Sequence, residues 1–377
     1  MEGFIIALFV CVVLALISKY LSIPAIPVYI LGGIILGKAG LGIVRLDEVS
    51  QFFSEIGLLF LLFFMGLELK LERIVANPSK VLTAGLIGLT VDMGIGFTAA
   101  YLLGFSLMES FIVGAAFYIT STAIVITSLI ENRKLMCKET ETIIWVTVFE
   151  DIVLIIILAL LSASDQNLLL FFVKIGLALA FMYAISFYGK EFLISILDRN
   201  DELPILFTFA AVLVTAAFSL YLGIPETLMV IALGAALATT DPDAFEQHAR
   251  PFKDVFLVMF FVFFGVTIDV SSGLNWSIIA IICALAIISK LISGMLIGLI
   301  IHKSAMSGLE IWANMISRGE FSIALAVLYG SPLIATTIAV LVIVTSIIGS
   351  FTAKYSTWLR RGIIHYSRKK ALLHRPN

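Results

Sequence analysis

The chain has 377 residues, 61% of them hydrophobic and 13% charged, with a formal net charge of −2 at pH 7. Soluble domains run at about 45–50% apolar and about 25% charged, so this balance excludes a soluble globular protein and places the chain in a membrane. No nucleic-acid partner is expected, and the near-zero net charge identifies no other.

Apolar runs of helix-spanning length recur from end to end, at approximately 3–22, 25–43, 53–69, 81–104, 108–130, 141–162, 168–188, 203–222, 226–240, 252–269, 276–301, 309–330 and 332–357. The alternating pattern of a membrane barrel is missing, so these are about 13 transmembrane helices. The second run is interrupted by Pro24, Pro27 and several glycines, and the ninth is short. The start, Met-Glu-Gly-Phe, lacks a basic region, so the first run reads as a retained span. Cys11, Cys137 and Cys283 are scattered and suit neither a disulfide framework nor a metal site.

Lysine and arginine test the count. The connections after odd-numbered spans carry Lys19; Lys70, Arg73 and Lys80; Arg133, Lys134 and Lys138; Lys190 and Arg199; Arg250 and Lys253; and Lys303. The opposite connections carry Lys38 and Arg45. This asymmetry predicts a multi-pass protein of the cell membrane, N-terminus outside and C-terminus cytoplasmic. The tail, 359–377, holds Arg360, Arg361, Arg368, Lys369 and Lys370. It reads either as an anchor against anionic headgroups or as a link to a cytoplasmic regulatory partner. Neither a Walker A loop nor a G-x-G-x-x-G fingerprint occurs, so no nucleotide or other cofactor, and no enzymatic activity, is expected.

Charges inside the spans point to the chemistry. Glu150 and Asp151 lie ten residues into the sixth span, roughly 15 Å from Glu141 and near the bilayer midplane. Ionisable groups at that depth are expensive and belong mostly to ion pathways. A desolvated carboxylate takes up a proton unless a cation neutralises it, so protons and a metal cation such as Na+ would compete for one acidic site. Lys290, central in the eleventh span, needs an acidic partner, and Glu150 or Asp151 is the obvious one. Such a pair either couples cation entry to proton release or is a structural salt bridge. Arg318-Gly319-Glu320 predicts a break in the twelfth span, with both charges in structural roles there. Thr120, Ser121 and Thr122 supply hydroxyls in the fifth span, as cation ligands or as helix-to-helix contacts. Asp92, central in the fourth span, reads as a supporting acid, a proton relay member or a capped structural residue.

The polar fifth span and the interrupted twelfth are seven spans apart, an odd offset that signals inverted repeats, 1–6 against 8–13. Phe64-Met65-Gly66-Leu67-Glu68-Leu69, Thr120-Ser121-Thr122-Ala123, Phe149-Glu150-Asp151-Ile152, Phe263-Phe264-Gly265-Val266-Thr267-Ile268-Asp269, Lys290 and Arg318-Gly319-Glu320-Phe321 follow in order along the chain. In these segments it resembles the second subgroup of monovalent cation:proton antiporters, which includes Kef-type potassium efflux systems and NapA-like Na+/H+ antiporters. The resemblance implies an all-α polytopic membrane protein of the NhaA/NapA-like antiporter fold, with two crossing discontinuous helices. It also implies a homodimer within a transmembrane domain, 1–358. The dimerisation panel would be about 1–70 and 203–270, the core about 81–162 and 276–357, and the linking helix about 168–188. Asp151 would carry cation and proton in turn, and Lys290 would pair with Glu150. Na+ (or Li+) exchange for H+ is the leading expectation. K+/H+ exchange and a gated potassium efflux pathway are the rivals, and an organic-anion symporter is disfavoured by the acidic pair.

Overall fold

In the computed structural model the described residues are 2–21, 23–69, 77–163, 168–269 and 275–373, and past 356 only the helix itself is described. Lys70 and Arg73 of the basic pattern lie outside them, as do the last residues of the tail. The helices, in order, are α1 (Glu2–Leu21), α2 (Ala25–Leu36), α3 (Glu48–Leu67), α4 (Pro78–Leu102), α5 (Leu107–Tyr118), α6 (Thr122–Glu131), α7 (Lys138–Ser162), α8 (Leu168–Tyr188), α9 (Lys190–Leu197), α10 (Leu203–Leu222), α11 (Glu226–Leu237), α12 (Pro242–Thr267), α13 (Trp276–His302), α14 (Ala305–Met315), α15 (Glu320–Tyr329) and α16 (Pro332–Leu373). Among the described residues eight spans are long and apolar enough to cross a bilayer, α5 and α6 together forming one, and shorter apolar helices accompany them. The predicted second span is helical only to Leu36, because the Gly37–Gly42 stretch turns back on itself.

The helices fall into two compact units. One comprises Met1–Ile17, Val28–Glu72 and Asp151–Ser271, the other Ser18–Pro27, Arg73–Glu150 and Ser272–Asn377. One division lies inside α7, between Glu150 and Asp151, and others fall inside α1 and α2.

The first unit is largely apolar, with Asp151 its buried charge among the described residues. Its α3 packs on α11 and α12, and small residues permit the contact: a Cβ on Gly66 would lie 2.3 Å from the Ile231 carbonyl oxygen. Phe60, Phe209, Phe252 and Phe256 stack beside it, with Phe209 and Phe252 centroids 4.6 Å apart. Lys38 and Asp269, past the ends of α2 and α12, lie 3.2 Å apart, and Arg250 pairs with Glu246 one turn away on α12.

The second unit contains α4–α6, most of α7 and α13–α16. Ala84, Val125, Leu129, Ile143, Val146, Ile297, Ile311 and Met315 form an apolar cluster that holds five of its helices together. The buried charges other than Asp151 lie within this unit among the described residues.

Candidate ion site

Three departures from regular helix position the site. In α4 a π-turn runs over Leu89–Met93 and carries Asp92, which is fully buried. Such single-turn bulges re-aim a side chain without ending the helix. The fifth span breaks after Tyr118; Ile119, Thr120 and Ser121 are non-helical, and Ser121 caps α6. The twelfth breaks over Ile316–Gly319. The two breaks meet. Ser121 N–H donates to the Ser317 carbonyl at 2.9 Å, and Ser121 Oγ donates to Glu320 Oε2 at 2.9 Å. Only glycine allows this approach at 319, where a Cβ would lie 2.4 Å from Ser121 Cβ.

Glu150 and Lys290 form the centre. Glu150, fully buried, accepts from Lys290 Nζ at 2.7 Å through one carboxylate oxygen and from Thr120 N–H at 2.7 Å through the other. Lys290 also donates to the Tyr118 carbonyl at 2.7 Å and lies 3.0 Å from Asp92 Oδ2. Ser293 Oγ donates to both Asp92 oxygens, each at 3.1 Å. One ammonium is therefore shared by two carboxylates and by a carbonyl freed where the fifth span breaks. Asp151 is the next residue of α7, about 100° further round the helix, and is also buried.

Arg318 is fully buried and donates to the carbonyls of Met315, Ile316 and Ala286, two of which the break in the twelfth span has freed. It makes no ion pair with Glu320 among the described residues; the two charges serve different parts of the crossing. Thr120 Oγ1 reaches the Met315 carbonyl at 3.5 Å, while Thr122 Oγ1 is buried with no hydrogen-bond partner among the described residues. A desolvated hydroxyl of that kind retains full capacity as an oxygen ligand. The crossing gathers carboxylate, hydroxyl and backbone oxygens, ligand types that suit a hard monovalent cation, at the positive ends of two half-helices and the carbonyl ends of two others.

The family model for the transmembrane sodium/hydrogen exchanger matches residues 5–357. The chain belongs to the sodium/hydrogen exchanger family. It is similar to the K(+)/H(+) antiporter subunit KhtU of Bacillus subtilis, 29% identical over 94% of this chain and 93% of that one. The Na(+)/H(+)-K(+) antiporter GerN of Bacillus cereus is 28% identical, covering 90% and 92%. The fold is that of the sodium proton antiporter MjNhaP1 from Methanocaldococcus jannaschii, with a TM-score of 0.70 at 19% identity over 94% of this chain and 95% of that structure. This family member is thus a multi-pass transmembrane cation/proton antiporter.

One reading of the sequence needs correcting. Lys134, counted among the loop charges, is 1% exposed and pairs with Glu310, which sequence reasoning passed over. Both residues sit at span ends, where charge is expected to be solvated. The signal that could have found them is Glu310 itself, an acid entering the predicted span that ends in the Arg318 break. Glu109, in the first turn of α5, is half-buried. It closes a capping box with Ser106 and accepts from Ser331 Oγ at 2.6 Å, tying the start of α5 to the turn before α16.

Proposed function

We propose that the chain exchanges Na+, or Li+ in its place, for H+ by alternating access. Asp151 would bind cation or proton in turn, with Glu150 beside it and oxygens of Thr120, Ser121 and Thr122 completing the shell. The observation that carries this reading is the Glu150–Lys290 pair, 2.7 Å long, wholly buried and pinned to a broken backbone through Thr120 N–H. A cation drawn to these carboxylates competes with both the ammonium and the proton for the same electrons, which is the basis of coupled exchange. Asp92 would support the cycle as a second partner for Lys290, so the ammonium is not left alone when Glu150 turns toward a cation. Arg318 and Glu320 would hold the crossing in register.

The protein would work as a homodimer in the cell membrane, N-terminus outside, with helices at about 1–70 and 203–270 forming the panel and those at about 81–162 and 276–357 the moving core. The basic tail would rest on anionic headgroups or receive a cytoplasmic regulatory partner. A second reading, K+/H+ exchange, draws support from the potassium named for the relative KhtU.

Proteoliposomes with an imposed pH gradient separate the two. Dequenching of an internal pH dye by Na+ or Li+ but not K+ is expected; the reverse order selects potassium, and cation flux without proton movement defeats antiport. Asp151→Asn should fold and abolish exchange, and near-normal transport by that variant would remove Asp151 from the role given to it.

A further inference from the structure

Lys134 is a buried cation that the exchange chemistry leaves unused. It lies in the turn between α6 and α7, where Arg133 adopts a left-handed φ of 54° and the chain folds inward. Its backbone joins the two helices: its N–H donates to the Leu129 carbonyl at 2.8 Å, and its carbonyl accepts from Thr140 Oγ1 at 2.6 Å. Its ammonium meets Glu310 Oε1 on α14 at 2.7 Å, Asn314 Oδ1 at 3.4 Å, and the Ala353 carbonyl and Ser356 Oγ on α16. Asn314 and Ser356 donate to Glu310 Oε1 in turn, at 3.1 and 2.9 Å. Nearby, Ser307 Oγ on α14 donates to Glu139 Oε1 on α7 at 2.7 Å.

α14 is only 11 residues long, too short to hold its own position. Its far end supplies the site. The carbonyls of Met315, Ile316 and Ser317, five to seven residues beyond Glu310, take the hydrogen bonds of Thr120, Arg318 and Ser121. That end is referenced to α16 as well, since Arg318 N–H donates to Thr345 Oγ1 at 3.3 Å and Ser346 Oγ donates to the Arg318 carbonyl. α14 and the break after it are thus fixed to α16 at three points. Lys134 makes one, Thr352 Oγ1 donating to the Ala313 carbonyl at 2.9 Å makes a second, and Thr345 with Ser346 makes the third, about 10–15 Å from the first along the helix.

We infer that Lys134, through Glu310, is a positioning residue for the cation site: it sets where α14 lies along its axis, and hence where the carbonyls of Met315, Ile316 and Ser317 stand at the crossing. This rests on the exchange reading above. Misplacing binding groups by about 1 Å weakens a site by one to two orders of magnitude, so freeing α14 should show first in the cation concentration needed for exchange.

The test is initial exchange rate against cation concentration in proteoliposomes, normalised to folded protein, together with thermal unfolding in detergent. Lys134→Met should raise the apparent KM for the cation about tenfold with a smaller change in maximal rate. The double variant Lys134→Met/Glu310→Met should recover thermal stability, since no buried charge is left alone, yet keep the raised KM. Glu310→Gln, which retains shape and hydrogen bonding, is the milder probe if Lys134→Met does not fold, and should raise KM in the same direction. A KM within twofold of wild type in the double variant and in Glu310→Gln overturns the inference and leaves Lys134 a structural ion pair. Wild-type protein that moves no protons on cation addition would instead bring down the exchange reading, and this inference with it.

Discussion

Two buried lysines in the second unit share a chemistry and differ in charge balance. Lys134 faces one carboxylate, Glu310, and otherwise neutral acceptors, so that cluster sums to zero. Lys290 faces two carboxylates, Glu150 and Asp92, with Asp151 following in the chain. The crossing thus counts two cations, Lys290 and Arg318, against three carboxylates, Glu150, Asp92 and Glu320. A balanced buried pair is closed and has no reason to admit an ion; a surplus of buried carboxylate calls for a proton or a metal cation. One cluster is charge-balanced, and the other is not.

The largest expected difference is between the two lysines. Lys290→Met strands two carboxylates and should cost about 3–5 kcal/mol of unfolding free energy. Lys134→Met strands one, which Asn314 and Ser356 still hydrogen-bond, and should cost less, about 3 kcal/mol at the low end of that range. Both are read by thermal or denaturant unfolding in detergent, and equal losses would erase the distinction drawn between the clusters.

Neutralising the acids gives a smaller effect that separates the clusters further. Asp92→Asn keeps the hydrogen bond to Ser293 and relieves the surplus, so its stability should stay within about 1 kcal/mol of wild type while the pH profile of exchange shifts. Glu310→Gln unbalances a neutral pair and should destabilise by more than Asp92→Asn. The opposite ranking would show that Asp92 is as tightly required for folding as Glu310.

The smallest effect is expected at Glu109, where the capping box is exposed. Glu109→Gln weakens one helix cap and the bond to Ser331, for about 0.5–1.5 kcal/mol. Exchange kinetics should be unchanged, and an altered KM would mean that this end of the broken pair also positions the site.

The apolar helical character of the chain, the two breaks and the buried acids Asp92, Glu150 and Asp151 were legible because each depends on local composition. A stretch that is apolar for about 20 residues must be a helix in lipid, and a charge within it must be served. The Thr120–Thr122 hydroxyl run and Arg318-Gly319-Glu320 marked the breaks for the same reason. Lys134 was misread because its surroundings in sequence, Asn132-Arg133-Lys134, are those of a solvated loop. What buries it comes from α14 and α16, 180 and 219 residues away.

Composition and pattern therefore determined that this is a helical membrane protein with carboxylates at midspan and two interrupted helices, since the low dielectric of the bilayer constrains each span by itself. Only the tertiary structure decided which acid serves which cation: that Lys290 is shared between Glu150 and Asp92, that Arg318 binds carbonyls in place of Glu320, and that Lys134 holds α14. Ion pairing acts over a few ångströms in space, and the chain alone does not specify which distant helices come that close.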